Sequence, residues 1–333
     1  MGRAGATRRV SAGVSSVGRV STREYDLVVI GAGPVGENVA DRATQGGLSV
    51  VIVESELVGG ECSYWACMPS KALLRSASVL RAARDVDGAR QAVTGGVDIA
   101  ATLRRRDAIV HDWNDGSQVE WLTGAGIYLV RGHGRLTGER EVTVTGMDGD
   151  ETVLSARHAV AVCTGSAALL PAIPGLRDAA PWTSREATAV REVPASLVVL
   201  GGGVVGCEMA TLFASFGTRV TVIARSGLLG GVEPFAGEAV ATALADAGAT
   251  VRTGVKVEGV RRDAGGVAVS LSDGSEVRAD ELLVATGRAL ARRIWASRWR
   301  GSNPVRGSPS TTPCVCAVST GSTRSATSIT ERC

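Results

Sequence analysis

Continuous apolar runs along the chain predict strands that are buried on both faces. The first occupies residues 27–30, and residues 48–54 form a second run after a stretch with helical character. The same order of strand, helix and strand returns at residues 197–225. Strands of this kind belong to parallel sheets whose two faces are covered by helices. The pattern therefore predicts an α/β protein with two Rossmann-like units, each a three-layer arrangement around a parallel sheet.

Each unit carries a glycine-rich turn between its first strand and its helix. Both turns follow the G-x-G-x-x-G pattern, with glycines at Gly31, Gly33, Gly36, Gly201, Gly203 and Gly206. Such a turn lets a pyrophosphate approach the backbone at the N-terminus of the following helix. The alternative is two chance glycine turns in buried sheets. The complete strand–turn–helix–strand order around both turns favours two nucleotide-binding sites.

The residues that end the second strand of each unit differ in charge. Glu54 follows Gly33 by 21 residues, at the place where a carboxylate accepts a ribose hydroxyl. The first site is therefore predicted to take an unphosphorylated ribose, as in FAD or NAD. Arg225 ends the matching strand of the second unit and suits a 2′-phosphate, so the second site favours NADPH. The alternative for Arg225 is a solvated surface side chain.

The regions between and after these units have their own patterns. Residues 72–123 have helical apolar spacing, and the chain from residue 127 alternates and turns at glycines. This predicts helices followed by a small antiparallel sheet. Two further buried strands, in 158–166 and 280–288, each end in Thr-Gly and are expected to close a nucleotide-binding half. Residues 171–175, PAIPG, are typical of a linker.

Composition narrows the possible partners. The net charge is +3, and all but two of the 36 basic residues are scattered arginines, so no nucleic-acid partner is predicted. No apolar run approaches the roughly 18 residues that a membrane span needs. The 3 histidines lack metal-ligand spacing, which predicts no metal site. The 7 irregularly spaced cysteines do not make a disulfide framework, and a cytoplasmic protein is predicted.

One cysteine pair lies in GGECSYWACMPSK, residues 59–71. In a regular helix, residues five apart such as Cys62 and Cys67 are separated by about 7.5 Å along the axis. A disulfide needs Cα atoms within roughly 7 Å, so a bridge requires a distorted turn, and strain there eases reduction. A helix is expected to begin near Cys67. The alternatives to a redox pair are two separate buried cysteines or half of a zinc site.

These features, in this order, resemble the class I flavin-dependent pyridine nucleotide-disulfide oxidoreductases. That family includes dihydrolipoamide dehydrogenase, mercuric reductase and glutathione reductase. The resemblance runs from about Tyr25 to Arg288, and its most specific part is the cysteine segment at 59–71. The Tyr64-Trp65 pair differs from the commonest version of that segment, which leaves the subgroup open.

The resemblance implies a path for electrons and a role for each site residue. Hydride passes from NADPH or NADH to FAD and on to a Cys62–Cys67 disulfide, giving a dithiol that reduces a small-molecule or disulfide substrate. Cys67 is the thiol beside the flavin, and Cys62 is the outer thiol that attacks the substrate. Lys71 lies near the flavin, with Glu208 as its counter-charge. Cofactor contacts are implied for Gly31, Gly33, Pro34, Gly36, Glu54, Gly60, Lys71, Thr164, Gly165, Gly201, Gly203, Val205, Gly206, Arg225 and Gly287.

The resemblance stops after Arg288. The expected second flavin-contacting segment and the interface domain, which supplies the family's homodimer contact and an acid/base pair, are not recognisable in residues 289–333. These residues have seven arginines, one acid and no periodicity. Synonymous codons for residues 292–333, read in another frame, can encode the missing segment. We interpret residues 289–333 as an aberrant, disordered tail, and predict a base gained or lost shortly after the Arg288 codon.

Four segments are therefore predicted. Residues 1–24 form a disordered tail, for which an organelle transit peptide or a start codon placed too early are alternatives. Residues 25–170 form a FAD-binding domain with the cysteine pair, and residues 171–288 form an NAD(P)-binding domain, followed by the tail from residue 289. The predicted function is a FAD-dependent disulfide oxidoreductase impaired by truncation. The alternatives are a non-catalytic remnant and an NAD(P)H diaphorase that has no disulfide substrate.

Overall fold

The computed structural model describes residues 21–290 and two strands at 314–320 and 328–331. The first unit comprises β1 (Ser21–Ile30), α1 (Pro34–Gln45), β2 (Val50–Glu54), α2 (Gly60–Tyr64), α3 (Cys67–Arg84), a 3₁₀ turn at Arg90–Ala92, α4 (Ile99–Ile109), a 3₁₀ turn at His111–Trp113, α5 (Gly116–Gly124), β3 (Tyr128–Arg131), β4 (His133–Gly138), β5 (Glu141–Thr145), β6 (Glu151–Val162) and β7 (Ser166–Ala168). The remainder comprises α6 (Ser184–Thr188), β8 (Ser196–Leu200), α7 (Val204–Ser215), β9 (Arg219–Ala224), α8 (Pro234–Asp246), β10 (Thr250–Thr253), β11 (Val257–Asp263), β12 (Gly266–Leu271), β13 (Glu276–Ala279), β14 (Glu281–Val284), β15 (Arg288–Leu290), β16 (Cys314–Thr320) and β17 (Ser328–Glu331).

The first unit is built on a parallel sheet with β1 in its interior. β1 pairs in parallel with β2 on one side and with β6 on the other. Val29 of β1 belongs to a buried cluster with Ala40 of α1 and Leu122 of α5. Val28 belongs to a second cluster with Val142 of β5. Because both faces of β1 are covered, its side chains are apolar at successive positions, as the sequence predicts.

The strand after α5 corrects one expectation. The alternating pattern from residue 127 predicts an antiparallel sheet, but β3 pairs in parallel with β2. Helices lie between β2 and β3, and such a crossover connection delivers a parallel neighbour rather than a hairpin partner. Antiparallel pairing begins with β4 and β5 and continues into the first half of β6, where the predicted small sheet is confirmed.

Strand β6 pairs with segments from both predicted tails. Ser21–Tyr25 of β1 pairs with Thr152–Ala156 of β6, so the strand begins ahead of the predicted domain start at residue 25. Beyond β5, the second half of β6 pairs antiparallel with β16, which in turn pairs with β17. These parts of the predicted disordered tail are instead paired strands, because the edge of β6 offers backbone groups for a ladder. The rest of both tails lies outside the described residues.

The second unit confirms the repeated strand, helix and strand. Its parallel sheet has the order β10-β9-β8-β14, and α7 connects β8 to β9. A separate antiparallel sheet of β11, β12 and β13 packs near β14. β15 then pairs with β7, which brings the chain back to the first unit. No helix in the described part of the chain combines the length and apolarity needed to cross a membrane.

Helices α3 and α4 join the two units. Leu73 of α3 is fully buried in the core of the second unit, in one cluster with Leu212 and Phe213 of α7. Arg106 of α4 is 1% exposed, and its Nη2 donates a 2.8 Å hydrogen bond to the carbonyl oxygen of Val190. Its Nη1 donates to the carbonyl oxygen of Thr188 at the end of α6. The helix that begins with Cys67 therefore lies in the first unit in sequence and contributes to the core of the second.

Candidate active site

The first glycine-rich turn is shaped by close backbone contacts. Gly31 has a φ of +102°, and a Cβ there would lie 2.4 Å from the carbonyl oxygen of Cys163. A Cβ on Gly36 would lie 1.8 Å from the carbonyl oxygen of Gly31. Both positions therefore require glycine for the packing of the turn itself. Gly33 differs, because it is the N-cap of α1 and a Cβ there would meet nothing within 4 Å.

The open space beside Gly33 fits a bound phosphate group. The amides at the N-terminus of α1 face this end of the helix, and the helix dipole favours negative charge there. The same holds for Gly203, the N-cap of α7, whose Cβ would also meet nothing within 4 Å. Gly165 and Gly287, which follow β6 and β14, are equally open. The residues present therefore fit the pyrophosphates of FAD and NAD(P)H.

Glu54 is held beside the first turn. Its Oε2 accepts a 2.7 Å hydrogen bond from the amide of Ala32, and its Oε1 accepts a 2.8 Å bond from the amide of Glu56. These bonds fix the carboxylate at the end of β2, next to the turn that contains Gly33. This position is compatible with the ribose contact that the sequence predicts.

The second glycine-rich turn repeats the backbone geometry of the first. Gly201 has a φ of +123°, and a Cβ there would lie 2.3 Å from the carbonyl oxygen of Ala285. A Cβ on Gly206 would lie 2.1 Å from the carbonyl oxygen of Gly201. Arg225 directly follows β9 and is exposed, which leaves its guanidinium accessible to a ligand. The other predicted contacts beside these turns are also solvent-accessible: Pro34 and Val205.

The structure brings Cys62 and Cys67 together at a break between two helices. Cys62 lies within α2, and Cys67 is the first residue of α3, as expected from the sequence. Trp65 and Ala66 between them are non-helical, with φ of −136° and −132°. The chain thus has the distorted turn that a bridge between these cysteines requires. In this structure both are thiols, with Cys62 half-buried and Cys67 exposed.

The two thiols influence each other. Burial raises the pKa of Cys62 to about 12, and a hydrogen bond and electrostatic interaction with Cys67, followed by the charge of Glu37, act in the same direction. A thiol with so high a pKa holds its proton at neutral pH. In the reduced pair, Cys62 is therefore a neutral thiol at neutral pH.

Lys71, one turn into α3, reaches across to the second unit. Its Nζ lies 2.5 Å from Oε1 of Glu208 on α7, which is the pairing that the resemblance implies. The Lys71 side chain is 62% exposed and that of Glu208 is 30% exposed. Because exposed ion pairs contribute little to stability, this contact should add no more than about 1 kcal/mol to the fold.

Two polar groups near Cys62 were not predicted from the sequence. Among the described residues, Oε1 of Glu37 and the hydroxyl of Tyr64 are buried without a hydrogen-bond partner. Burial, reinforced by the negative charge of Glu54, raises the pKa of Glu37 to about 7. Burial and the charges of Asp115 and Glu37 raise the pKa of Tyr64 to about 12. The one feature of the sequence that could have pointed to Glu37 is its place directly after Gly36, the last glycine of the first turn.

An arginine from the second unit also meets the cysteine segment. Arg185 of α6 donates to Glu61, the residue before Cys62, and its Nη2 lies 2.7 Å from Oε2 of Glu56. Its guanidinium lies over the ring of Trp65, 4.2 Å from the centroid. Burial alone would lower the pKa of Arg185, but the hydrogen bonds to the two glutamates raise it. This contact could not be anticipated from the sequence, since its partners lie more than 100 residues away.

No group of three or more potential metal ligands occurs among the residues that the structure describes. The site is thus formed by two glycine-rich turns, a cysteine pair at a helix break, and an ion pair between α3 and α7. The cofactor contacts and catalytic roles of the individual residues remain predictions.

Comparisons with known proteins agree with this arrangement. The family model of the pyridine nucleotide-disulphide oxidoreductases matches residues 25–298. A mercuric reductase of Acidithiobacillus ferrooxidans is 35% identical over 270 residues, which cover 80% of this chain and 49% of that protein. A dihydrolipoyl dehydrogenase of Chlorobaculum tepidum is 36% identical over 278 residues, covering 79% of this chain and 57% of that protein.

A solved structure shows the same fold. The HOCl-induced flavoprotein disulfide reductase RclA from Escherichia coli, determined as a Cu(II) complex, superimposes with a TM-score of 0.71 at 24% identity. The alignment covers 81% of this chain and 58% of RclA. The present chain thus spans about half the length of the curated relatives that it matches. It belongs to the pyridine nucleotide-disulphide oxidoreductases, a family of FAD- and NAD(P)H-dependent enzymes.

Proposed function

We propose that this chain passes electrons from NAD(P)H through bound FAD to a Cys62–Cys67 disulfide, and from the resulting dithiol to a disulfide or similar small acceptor. The observation that carries this proposal is the meeting of the two cysteines at the break between α2 and α3. Gly60, at the start of α2, packs against the first glycine-rich turn, since a Cβ there would lie 2.9 Å from Cα of Gly33. The thiols therefore lie close to the proposed FAD site.

The protein's own residues have separate tasks in this scheme. Bound FAD would accept hydride and deliver two electrons to the bridge. Cys67 is exposed at the start of α3, where a flat ring can reach its sulfur. Cys62 is the outer thiol that exchanges with the acceptor. Lys71 places a positive charge near the pair, and Glu208 orients it from the second unit.

Anaerobic reduction of the purified chain tests this proposal. On addition of NADPH, a protein that works in this way develops the long-wavelength band of a thiolate beside the flavin. Cys67→Ser should abolish the band, and Cys62→Ser should retain it because the Cys67 thiol remains. Cys207→Ala, which removes a buried cysteine from α7, serves as the matched control and should behave like the wild type.

The same experiment separates the alternatives. Flavin bleaching by NADPH without a long-wavelength band, in wild type and variants alike, would replace the disulfide proposal with a diaphorase activity. A colourless protein that takes up no added FAD would indicate a nucleotide-binding chain without flavin chemistry.

We also propose that the second unit prefers NADPH. The support for this is an exposed Arg225 at the end of β9, where a guanidinium can pair with a 2′-phosphate. Arg225→Glu should lower the ratio of NADPH to NADH affinity by roughly tenfold or more, the value of one charge-assisted contact. Arg219→Glu, at the opposite end of the same strand, is the control. An unchanged ratio in Arg225→Glu would mean that Arg225 only faces solvent.

A further inference from the structure

The break between the two cysteines is held by side chains from outside the cysteine segment. The carbonyl oxygen of Trp65, within the break, accepts a 3.0 Å hydrogen bond from Oγ1 of Thr188 on α6. The carbonyl oxygen of Tyr64, the last residue of α2, accepts a 3.2 Å bond from Nε1 of Trp113. Two consecutive carbonyl groups are thus bonded to segments that lie far away in the sequence.

The carbonyl group of Trp65 needs such a donor because of a proline. In a continuous helix, the carbonyl oxygen of residue 65 would accept from the amide of residue 69. That residue is Pro69, which has no amide hydrogen to donate. The next carbonyl group, that of Ala66, does receive its helical bond, at 3.0 Å from the amide of Ser70. Thr188 therefore supplies the donor that the proline lacks.

The hydroxyl group of Thr188 has three acceptors within reach. The side chain is 2% exposed, and Oγ1 also lies 2.9 Å from the carbonyl oxygen of Ser184 and 3.3 Å from that of Arg185. Both of these carbonyl groups belong to α6, and that of Arg185 already accepts a 2.9 Å bond from the amide of Ala189. The single hydroxyl hydrogen is shared among these acceptors. Loss of the hydroxyl would matter most at Trp65, whose helical donor is missing.

Helix α6 is anchored at both ends, so Thr188 occupies a fixed place. At the start of the helix, Thr183 and Glu186 form a reciprocal capping box. At its end, the buried guanidinium of Arg106 donates to the carbonyl oxygen of Thr188. The same guanidinium lies over the ring of Trp113, 5.2 Å from the centroid. Arg106 therefore connects the two side chains that hold the break.

From these contacts we infer that Thr188 and Trp113 are positioning residues that hold Cys62 and Cys67 in the geometry that a bridge requires. The inference rests on the proposed function, in which the pair alternates between disulfide and dithiol. A bridge needs Cα atoms within roughly 7 Å, and a regular helix would separate residues five apart by about 7.5 Å along its axis. The break is present here with both cysteines as thiols. The two residues therefore keep the dithiol in the conformation that the disulfide needs.

This role predicts the direction in which the redox equilibrium of the pair moves when a contact is lost. The disulfide maintains the break through its own covalent bond. The dithiol lacks that bond, and without its outside contacts it is free to move the two sulfurs apart. The free energy of the dithiol then falls relative to the disulfide, and the pair becomes easier to reduce. The loss of one hydrogen bond should shift the equilibrium roughly three- to tenfold.

Equilibration of the purified full chain with dithiothreitol measures this shift without hydride transfer. In the exchange, the bond between Cys62 and Cys67 breaks, the reagent closes to its cyclic disulfide, and two hydrogens pass from the reagent to the pair. After acid quenching and alkylation, mass spectrometry quantifies the tryptic peptide 43–71, which contains these two cysteines and no other. Thr188→Val should lower the ratio of reduced to oxidised dithiothreitol at half-reduction roughly three- to tenfold. Thr188→Ser, which keeps the hydroxyl, should stay within about twofold of the wild type.

Two further variants make the result specific. Thr218→Val is the matched control, because Thr218 is 6% exposed and its hydroxyl donates a 2.8 Å bond to the carbonyl oxygen of Pro194. It should lower stability in urea about as much as Thr188→Val and leave the dithiothreitol ratio unchanged. Trp113→Phe removes the donor to Tyr64 and should shift the ratio in the same direction as Thr188→Val. If Thr188→Val does not fold, Trp113→Phe decides the question.

An unchanged ratio in the folded variants, or an equal shift in Thr218→Val, would overturn the inference and leave the proposed function in place. A wild-type chain that forms no bridge in this peptide would overturn both. The NADPH titration reports on the proposed function separately, so the two failures are distinguishable.

Discussion

Lys71 Nζ lies 2.5 Å from Oε1 of Glu208 and so connects the helix after the cysteine pair to the helix after the second glycine-rich turn. Both side chains are partly exposed, so the ion pair should add no more than about 1 kcal/mol to stability. Its effect should fall on electron transfer instead. We predict that Glu208→Gln lowers the rate of flavin reduction by saturating NADPH roughly tenfold or more, as expected for a displaced charge near the reacting centre.

Stopped-flow absorbance and urea unfolding of the same sample measure the two quantities. Glu238→Gln, an exposed acid on α8, is the matched control and should change neither. A Glu208→Gln variant that loses stability and flavin reduction in parallel would show that the pair is structural.

Gly31 and Gly33 should respond differently to the same added methyl group. Gly31→Ala forces a residue with a Cβ into a φ of +102° and against the carbonyl oxygen of Cys163, so the unfolding free energy should drop by about 2 kcal/mol or more. Gly33→Ala meets no protein atom within 4 Å, so the fold should be retained. Its methyl group would occupy the space assigned to the pyrophosphate and weaken FAD binding.

Flavin titration with parallel urea unfolding distinguishes these outcomes. If Gly33→Ala binds FAD as tightly as the wild type, the phosphate site does not lie at this turn. The two variants serve as controls for each other, because they place the same methyl group two residues apart.

Ionisation of Glu37 should make stability depend on pH. Its folded pKa, about 7, lies above the ordinary value of 4.5, so the folded state binds more protons than the unfolded state between these values. The unfolding free energy therefore falls as pH rises through this window. Glu37→Gln should be more stable than the wild type at pH 8 by about 1–2 kcal/mol, after discounting for a carboxyl that is partly exposed, and equal to it at pH 4.

Urea denaturation at the two pH values provides the measurement. Glu120→Gln, an exposed acid on α5, should show no difference from the wild type at either pH. A Glu37→Gln difference that is the same at pH 4 and pH 8 would indicate a packing effect rather than ionisation.

Arg106 should be among the most sensitive positions of the described chain outside the site. It is 1% exposed, and it donates to the carbonyl oxygens of Thr188 and Val190. Arg106→Met leaves these two buried acceptors unpaired, and the expected loss of unfolding free energy is about 2–4 kcal/mol. Arg104→Met, on the exposed face of the same helix, should stay within about 0.5 kcal/mol of the wild type. Equal effects of the two substitutions, measured by urea unfolding, would contradict this assignment.

The glycine-rich turns and the strands around them were accessible from the sequence because their determinants are local. Gly31 and Gly36 contact each other across five positions, and apolar runs mark the flanking strands directly. The approach of Cys62 to Cys67 is local as well. The pairing of β3 was predicted wrongly, since residue alternation alone does not reveal whether a strand arrives by a hairpin or by a crossover.

The contacts missed from the sequence depend on distant segments. Arg185 and Glu61 are 124 residues apart, and no periodicity in either helix indicates that they meet. Glu37 could be noted as an acid in an apolar turn, but the burial of its carboxyl oxygen becomes evident only in the folded structure. These residues were recognised as parts of the candidate site by their proximity in the folded chain and not by their residue type.

The burial of Leu73 within the cluster that also holds Leu212 and Phe213 limits how modular this protein can be. A fragment starting at residue 171 would expose an apolar depression that Leu73 fills in the complete chain. Recombination at the linker would therefore separate Leu73 from the core that it fills. A second unit transferred to another protein would need a replacement helix of matching shape. The second unit and the helix that carries Cys67 are expected to be inherited together.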